Sequence, residues 1–263
     1  MFYTEDCFSL SQNIGHIENG DSYFVLSFNS RPAVKGNLSV FCVLDGISTQ
    51  RDKYSSQLAA RLISKKLITL FEDIQKLSIL PQQEAMLYIY SMMKQAILSA
   101  DARLCEEASL CGTTVSVLVL FDGCVYTANV GDSPIFAVDT KAKTITDLYT
   151  DHSKIAAIIR RGELSEKQAL RHPEKSCITK AVGGRKALCE TDISTKSFKI
   201  YDDCILLIGS DGALRVFESK KILKLCNKNK NNMKQLCERL FECVKKHKAT
   251  DDFTVIAVRI KEI

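Results

Sequence analysis

The helix-like and strand-like segments of this chain are grouped, and they do not alternate. Two long stretches, Asp52–Lys76 and Gln82–Ala108, carry apolar residues at helical spacing, and two β-rich apolar runs, Ser22–Asn29 and Leu38–Leu44, precede them. A parallel doubly wound sheet needs a helix between successive strands, so this grouping argues against it. The sequence therefore predicts an α+β fold of antiparallel sheets that pack together, with helices on their outer faces.

The rest of the chain supplies more strands and shorter helices. Asp122-Gly123 stands between two apolar runs, which is a strong signal for a hairpin with a type I′ turn. The predicted strands here are Thr113–Phe121, Cys124–Val130, Pro134–Asp139, Cys204–Gly209 and Phe253–Ile260, and the predicted helices are Ser153–Arg161, Ser165–Arg171 and Asn231–Lys246. No linker-like or repetitive segment interrupts these elements, so we expect one domain over residues 1–263.

The cysteines and histidines narrow the possible chemistry. None of the 11 cysteines has the CxxC spacing of zinc ribbons and thioredoxin-like redox sites, and the four histidines are isolated from one another. A metal ion would therefore be held mostly by carboxylates, which favours Mg²⁺, Mn²⁺ or Ca²⁺ over zinc. No signal peptide or membrane-spanning run is visible. We expect a reduced, cytoplasmic protein without a membrane partner.

The net charge of +5 comes mainly from the Lys-rich segment Lys220–Lys248. We interpret this segment as a solvated helix face, since runs of like charge are usually exposed to solvent. It has no interleaved aromatic residues, and the chain has no Gly-rich basic tract. Nucleic-acid binding is therefore not expected.

Four aspartates stand at the ends of predicted strands. They are Asp21, before the first predicted strand, Asp45, directly after an apolar run, Asp211, after the segment Leu206-Leu-Ile-Gly-Ser210, and Asp251, just before the last strand. Carboxylates that come together repel one another unless a cation neutralises them or they share a proton. Convergence of these strand ends would therefore imply a metal centre or a shared proton.

A simpler interpretation of the Asp-Gly pairs is that they are ordinary turns, as Asp122-Gly123 is expected to be. Asp45-Gly46 and Asp211-Gly212 differ from that pair, because no complementary strand follows either of them. This difference favours a role in a site. The turn interpretation nevertheless stays open at the level of the sequence.

Six short motifs follow one another along nearly the whole chain. They are Phe41–Gly46, Cys111-Gly-Thr-Thr114, Ala128-Asn-Val-Gly-Asp-Ser133, a stretch from Asp151-His-Ser153 to Ile178-Thr-Lys-Ala-Val-Gly183, Gly209-Ser-Asp-Gly212 and Asp251-Asp-Phe-Thr-Val-Ile256. In this order they resemble the motifs of the metal-dependent Ser/Thr protein phosphatases of type 2C, in particular the bacterial single-domain members. The resemblance implies a β-sandwich flanked by helices, in four α-β-β-α layers, with a flap region near residues 151–184.

The resemblance also implies a metal centre at the aspartates. Asp45 would bridge two Mn²⁺ or Mg²⁺ ions, and the carbonyl oxygen of Gly46 would bind one of them. Asp211 and Asp251 would complete the shell of the first ion. Asp21 would contact the second ion through water.

A third, weaker ion is implied at Asp132 and Asp211. Two metal ions that share a water molecule lower its pKa, and they also orient a bound phosphate. With Asp45 and Asp211 as catalytic residues, the resemblance implies hydrolysis of phosphoserine and phosphothreonine on proteins. It further implies phosphoprotein substrates and a cognate Ser/Thr kinase, and we expect the chain to act as a monomer.

The substrate-binding periphery departs from the family pattern. His16-Ile-Glu-Asn-Gly-Asp21 stands where the family has Arg-x-x-Asn-Glu-Asp. His16 therefore replaces the Arg that grips the phosphate with two parallel hydrogen bonds, and it is a candidate catalytic and substrate-binding residue, or else only an exposed loop residue. Gly20 replaces an acidic residue, Ile47 stands in place of His or Met, and Asp252 replaces Asn.

The intact aspartates and the altered periphery leave two hypotheses. The first is an active but divergent phosphatase, because an idle site has little reason to keep four carboxylates. The second is a catalytically weak relative that binds phosphoproteins or a kinase as a regulatory module. Turnover that depends on Mn²⁺ would separate the two.

Overall fold

The structure is a computed structural model, and it describes residues 2–14, 18–28, 37–47, 54–107, 112–169, 171–184, 186–247 and 250–262. In chain order the strands are β1 (Phe2–Gln12), β2 (Ser22–Phe28), β3 (Leu38–Leu44), β4 (Val115–Phe121), β5 (Cys124–Val130), β6 (Ile135–Asp139), β7 (Thr144–Asp147), β8 (Ser194–Lys199), β9 (Cys204–Gly209) and β10 (Phe253–Glu262). The helices are α1 (Ser55–Leu67), α2 (Thr69–Glu72), α3 (Ile74–Ile79), α4 (Gln82–Glu107), α5 (Lys154–Arg160), α6 (Glu166–Ala169), α7 (Asp211–Leu214), α8 (Ser219–Asn229) and α9 (Met233–Lys246), and a 3₁₀ turn covers Glu190–Asp192.

The strands in the described ranges form two five-stranded sheets. The first sheet has the order β1-β10-β9-β6-β7, and the second sheet has the order β2-β3-β4-β5-β8. Every pair of neighbouring strands is antiparallel. The α+β prediction is confirmed, and a parallel doubly wound sheet is excluded for these strands.

Three apolar clusters join four layers. Between the sheets, Phe41 and Leu118 of the second sheet share a buried cluster with Ile208 and Ile256 of the first. Helices α1 to α4 pack on the outer face of the second sheet, and α7 to α9 pack on the outer face of the first. Each fully buried Leu, Ile or Phe contributes about 1.5–3 kcal/mol relative to an exposed one. The predicted α-β-β-α arrangement is confirmed.

The inner strands are covered on both faces. All residues of β3, β4, β5 and β9 are buried. One face of each strand meets the other sheet and the opposite face meets helices, so neither face needs polar side chains. This is why the sequence shows continuous apolar runs here and not the alternation of a half-exposed strand.

The hairpin predicted at Asp122-Gly123 is confirmed. Phe121 pairs with Cys124, so the turn has two residues. Asp122 has a φ of 45° and Gly123 a φ of 72°. Positive φ at both central positions is the signature of a type I′ turn, whose twist matches that of the flanking strands.

The sequence does not predict three of the strands, namely β1, β7 and β8, and all three lie at sheet edges. Edge strands expose one side to solvent and carry many polar residues, so their hydrophobic signal is weak. The predicted helix Asp52–Lys76 is also different in the structure, where α1, α2 and α3 cover Ser55–Ile79 in three pieces. Its first two residues lie outside the described ranges.

The Lys-rich segment consists of two amphipathic helices. Helix α8 buries Ile222 and Leu225, and α9 buries Leu236 and Leu240. The described lysines of this segment are exposed, so the interpretation as a solvated helix face is confirmed. Across the described residues, no helix has both the length and the apolar character that a membrane span requires.

Candidate metal centre

The four aspartates predicted at strand ends lie at one end of the sandwich. The pairing of β2 with β3 puts the start of one beside the end of the other, which brings Asp21 and Asp45 together. The pairing of β9 with β10 does the same for Asp211 and Asp251. The amide of Asp211 donates to Oδ2 of Asp45 over 3.4 Å, so the two sheets meet here.

A fifth aspartate, Asp132, joins the cluster from the connection between β5 and β6. This connection leads from the second sheet to the first. The residue is only 2% exposed. Burial is the main cause that raises the pKa of Asp132, and the charge of Asp211 raises it further. The structure therefore brings five of the predicted site aspartates into one electrostatic group.

Asp45 is at the centre of this group. Burial is the main cause that raises the pKa of Asp45 well above its usual range. The charges of four neighbouring aspartates raise it further: Asp21, Asp211, Asp251 and Asp132. Like charges at short range disfavour the ionised form of each carboxyl group. Full ionisation of this group is therefore unfavourable in free energy unless a cation binds to it, and otherwise a proton neutralises part of its charge.

The pKa values of Asp21 and Asp132 are both raised to about 7. Burial is the main cause in each case. The charge of Asp252 adds to the shift of Asp21, while hydrogen bonds from Thr254 and Ser210 oppose it. The charge of Arg215 opposes the shift of Asp132. Both aspartates would therefore carry a proton part of the time near neutral pH unless a cation replaced it.

Two carboxylate oxygens of the group lack a hydrogen-bond donor. Within the part of the chain that the structure describes, Oδ2 of Asp21 and Oδ1 of Asp211 are buried and accept no hydrogen bond. A buried acceptor without a partner costs about 1–3 kcal/mol, and more when it is charged. A bound cation would satisfy both oxygens.

The chemistry of these donors fits a hard divalent cation. Carboxylate oxygens, together with the carbonyl oxygen of Gly46, are the ligand type that Mg²⁺ and Mn²⁺ prefer. No three His, Cys, Asp or Glu side chains in the described residues already stand in ligating positions around one point. The fit therefore rests on donor type, convergence and the two unsatisfied oxygens.

The Gly-Thr-Thr motif holds the backbone of Asp45. The amide of Thr114 and the hydroxyl of Thr113 both donate to the carbonyl oxygen of Asp45, over 2.8 Å and 2.9 Å. The amide of Asp45 in turn donates to Oγ1 of Thr114 over 3.1 Å. Three hydrogen bonds thus position the residue, which explains why this motif accompanies the first Asp-Gly pair.

The two Asp-Gly pairs at the site are not hairpin turns. Neither Gly46 nor Gly212 has a positive φ, in contrast to Gly123. A Cβ atom on Gly46 would lie 2.5 Å from the carbonyl oxygen of Gly20, and one on Gly212 would lie 2.2 Å from that of Asp252. Glycine is needed because other backbone segments pass too close for a side chain. The turn interpretation is therefore wrong for both pairs.

Asp252 organises the segment that leads to Asp21. Its Oδ2 accepts from the amide of Gly20 over 2.8 Å, and its Oδ1 accepts from the amide of Ile14 over 3.3 Å. The sequence shows Asp252 only as an extra negative charge beside Asp251. In the structure, its two hydrogen bonds hold the segment after β1 against the start of β10.

Arg215 is a charged residue of the site that the sequence did not reveal. It directly follows α7, four positions after Asp211. Its Nη1 donates to Oδ2 of Asp132, and its Nη2 lies 3.1 Å from Oδ2 of Asp151. The available signal was the spacing, since residues four apart in a helical turn lie on the same side.

His152 is a buried structural residue. Its Nδ1 accepts from the amide of Gly131 over 3.1 Å, so its Nε2 carries the proton and donates to Oγ of Ser194 over 3.0 Å. Burial lowers the pKa of His152 to about 4, so the ring is neutral near pH 7. The cap of α5 is the neighbouring Ser153, and the ring of His152 is enclosed.

His16 lies outside the described residues. The predictions that it is catalytic and that it binds the substrate phosphate therefore concern a residue whose placement is not part of this structure. Ile47 is described, and its amide donates to the carbonyl oxygen of Gly112 over 2.9 Å. It belongs to the backbone support of the Gly-Thr-Thr motif.

Comparison with known proteins gives a match over most of the chain. The family model described as Protein phosphatase 2C matches residues 29–253. The serine/threonine phosphatase stp of Listeria welshimeri is 26% identical over 227 residues, which cover 85% of this chain and 85% of that protein.

Solved structures show the same fold. The serine/threonine phosphatase Stp1 from Staphylococcus aureus superposes with a TM-score of 0.77 at 20% identity, over 99% of this chain and 96% of that one. The catalytic domain of the phosphatase PstP, solved in complex with two manganese ions, superposes with a TM-score of 0.72 at 15% identity over 98% of each chain.

Proposed function

The chain belongs to the protein phosphatase 2C family, and we propose that its aspartate cluster hydrolyses phosphoserine and phosphothreonine on proteins with the aid of divalent metal ions. The observation that carries the proposal is the convergence on Asp45 of four other aspartates, drawn from both sheets. Two buried oxygens in this group accept no hydrogen bond within the described residues. A binding module without turnover has no specific observation in its favour.

We assign the ligands by position and donor type. Asp45, Asp211 and Asp251, with the carbonyl oxygen of Gly46, would hold two Mn²⁺ or Mg²⁺ ions, and Asp21 would contribute to the second. Manganese occurs in the solved PstP complex, and for this chain either ion satisfies the donor set. When bound, such ions lower the pKa of a water molecule and offset the negative charge of a phosphoryl group.

The residues of the chain supply position and charge. Thr113 and Thr114 fix the backbone of Asp45, so its carboxylate needs little reorganisation. Gly46 and Gly212 allow the segments that carry Asp21 and Asp251 to approach closely. His16, at the position of the family's phosphate-gripping Arg, is our candidate for contact with the substrate.

The remaining assignments are proposals of the same kind. We propose that the substrates are phosphoproteins and that a Ser/Thr kinase is the opposing enzyme. For the architecture, we propose a single domain over residues 1–263 with a flap region near residues 151–184. We also propose that the protein is a monomer. We also propose a cytoplasmic location. The ten cysteines in the described ranges are free thiols, which is the usual state in a reducing compartment.

The first prediction concerns metal-dependent turnover. We expect the full chain to hydrolyse p-nitrophenyl phosphate and a phosphothreonine peptide in a Mn²⁺ titration, and to lose this activity in chelator. Asp211→Asn should reduce turnover by about 100-fold or more, because it removes charge that the metal centre needs.

Asp122→Asn is the matched control for this variant. It makes the same chemical change in the Asp-Gly pair of the β4–β5 hairpin, where Asp122 is exposed and Asn tolerates the positive φ. Its turnover should equal that of the wild type. Circular dichroism verifies folding. A folded wild type without turnover across the whole Mn²⁺ range would refute the proposed function.

A further inference from the structure

One aspartate of the group, Asp132, already forms an ion pair with a side chain of the same protein, Arg215. Nη1 of Arg215 donates to Oδ2 of Asp132, and its Nη2 lies 3.1 Å from Oδ2 of Asp151 and 3.3 Å from Oγ of Ser153. A guanidinium stays charged throughout the pH range in which proteins fold, and it presents its donors as a planar fork. Asp132 is therefore both hydrogen-bonded and partly neutralised.

The contact is shielded from solvent. The side chain of Arg215 is 18% exposed and that of Asp132 is 3% exposed. Salt screens buried charges much less than exposed ones, and a buried charge that loses its partner is strongly destabilising. This ion pair is therefore a fixed part of the folded site, unlike an exposed pair that solvent exchanges freely.

The guanidinium of Arg215 is hydrogen-bonded to Oδ2 of Asp132 but not to Oδ1 of Asp211. Within the described residues, Oδ1 of Asp211 accepts no hydrogen bond, whereas Oδ2 of Asp132 accepts from the guanidinium. A divalent ion shared by these two aspartates would stand beside the positive charge of Arg215 and would be repelled by it. The third ion that the sequence resemblance implies does not fit this arrangement.

We propose that Arg215 is the resident cation at Asp132, so that the centre binds two divalent ions and has no third site. This inference rests on the proposed function, because it concerns the same metal centre. Arg215 also contacts Asp151 and Ser153, and Ser153 caps α5. The guanidinium of Arg215 therefore holds the beginning of the 151–184 region beside the metal centre.

The test counts the Mn²⁺ ions bound to the full chain, by equilibrium dialysis and by isothermal titration calorimetry up to millimolar Mn²⁺. We expect two ions for the wild type. Arg215→Gln removes the charge and should create a third, weaker site. Arg259→Gln is the matched control, because Arg259 also pairs with two acidic residues, Glu5 and Asp203, in a different part of the fold. It should bind two ions.

A second variant keeps the test decisive if Arg215→Gln does not fold. Asp132→Asn should still bind two ions, because Asp132 holds Arg215 and not a metal ion. Three ions on the wild type with one lost in Asp132→Asn would overturn the inference, and so would only two ions on a folded Arg215→Gln. A wild type that binds no Mn²⁺ would instead overturn the proposed function, so the two failures are distinguishable.

Discussion

At the scale of single residues, the same dipeptide serves two different purposes in this chain. Asp122-Gly123 turns a hairpin through positive φ angles. Asp45-Gly46 places a carboxylate among other carboxylates, and its glycine avoids a contact with the backbone of Gly20. The chemistry of an aspartate therefore depends on which segments surround it and not on its neighbour in sequence.

The raised pKa values of Asp21 and Asp132, both about 7, predict a pH dependence of the metal-free protein. A carboxyl group whose pKa is higher in the folded state binds more protons there, so the free energy of unfolding falls as the pH rises through that value. In chelator, we expect a fall on the order of 1 kcal/mol between about pH 6.5 and about pH 8, measured by urea unfolding.

Asp21→Asn is the control for this pH effect. It removes one of the two groups whose pKa is raised to about 7, so its free energy of unfolding should fall less over the same range. Burial lowers the pKa of His152 to about 4, and this acts in the opposite direction, mainly below the unfolded His value of about 6.5. A free energy of unfolding that stays constant or rises would contradict the assigned pKa shifts.

At the scale of elements, short connections carry the site, and other elements hold them in place. The connection between β5 and β6 carries Asp132, and His152 ties it to β8 through Gly131 and Ser194. Asn129 at the end of β5 exchanges two hydrogen bonds with the backbone of Thr150, over 2.8 Å and 2.9 Å. Hydrogen bonds of polar side chains therefore stabilise these connections, whereas apolar packing stabilises the sheets.

His152→Ala tests this connection. The change leaves the buried amide of Gly131 without its acceptor, so we expect the free energy of unfolding to fall by about 2 kcal/mol. His172→Ala is the control, because His172 is less buried and accepts only a local hydrogen bond from the amide of Glu174. It should cost less than about 1 kcal/mol. Equal losses in the two variants would argue against the structural role of His152.

At the scale of the whole molecule, the candidate metal centre joins the two sheets. Asp21 and Asp45 flank β2 and β3 of the second sheet, and Asp211 and Asp251 flank β9 and β10 of the first. The carboxylates that repel one another therefore belong to different layers. Binding of cations would replace this repulsion by attraction and would hold the layers together at this end.

Mn²⁺ should therefore stabilise the fold as well as support turnover. An ion that binds only the folded state adds about 2.7 kcal/mol when its concentration is 100 times its Kd. We expect the thermal midpoint to rise with Mn²⁺ concentration, as followed by circular dichroism. Asp45→Asn should respond much less, because it removes the central ligand. An equal response of this variant would show that the ions stabilise the protein elsewhere.

The α+β class, the inner strands and the hairpin could be predicted from the sequence alone and are confirmed, and the assignment of five aspartates to a metal site stays a prediction. Apolar runs that are buried on both faces, and turn residues that need positive φ, act locally and can be recognised without coordinates. The edge strands β1, β7 and β8 could not be recognised, because exposed polar strands have little hydrophobic pattern.

The contacts that support these aspartates form only when the chain folds. The ion pair of Arg215 with Asp132 and the hydrogen bonds of Asp252 to Ile14 and Gly20 join residues that are far apart in the chain. Such contacts depend on where the sheets and their connections pass one another. A linear pattern shows which residues are able to carry charge, but their partners are set by the distances that folding creates.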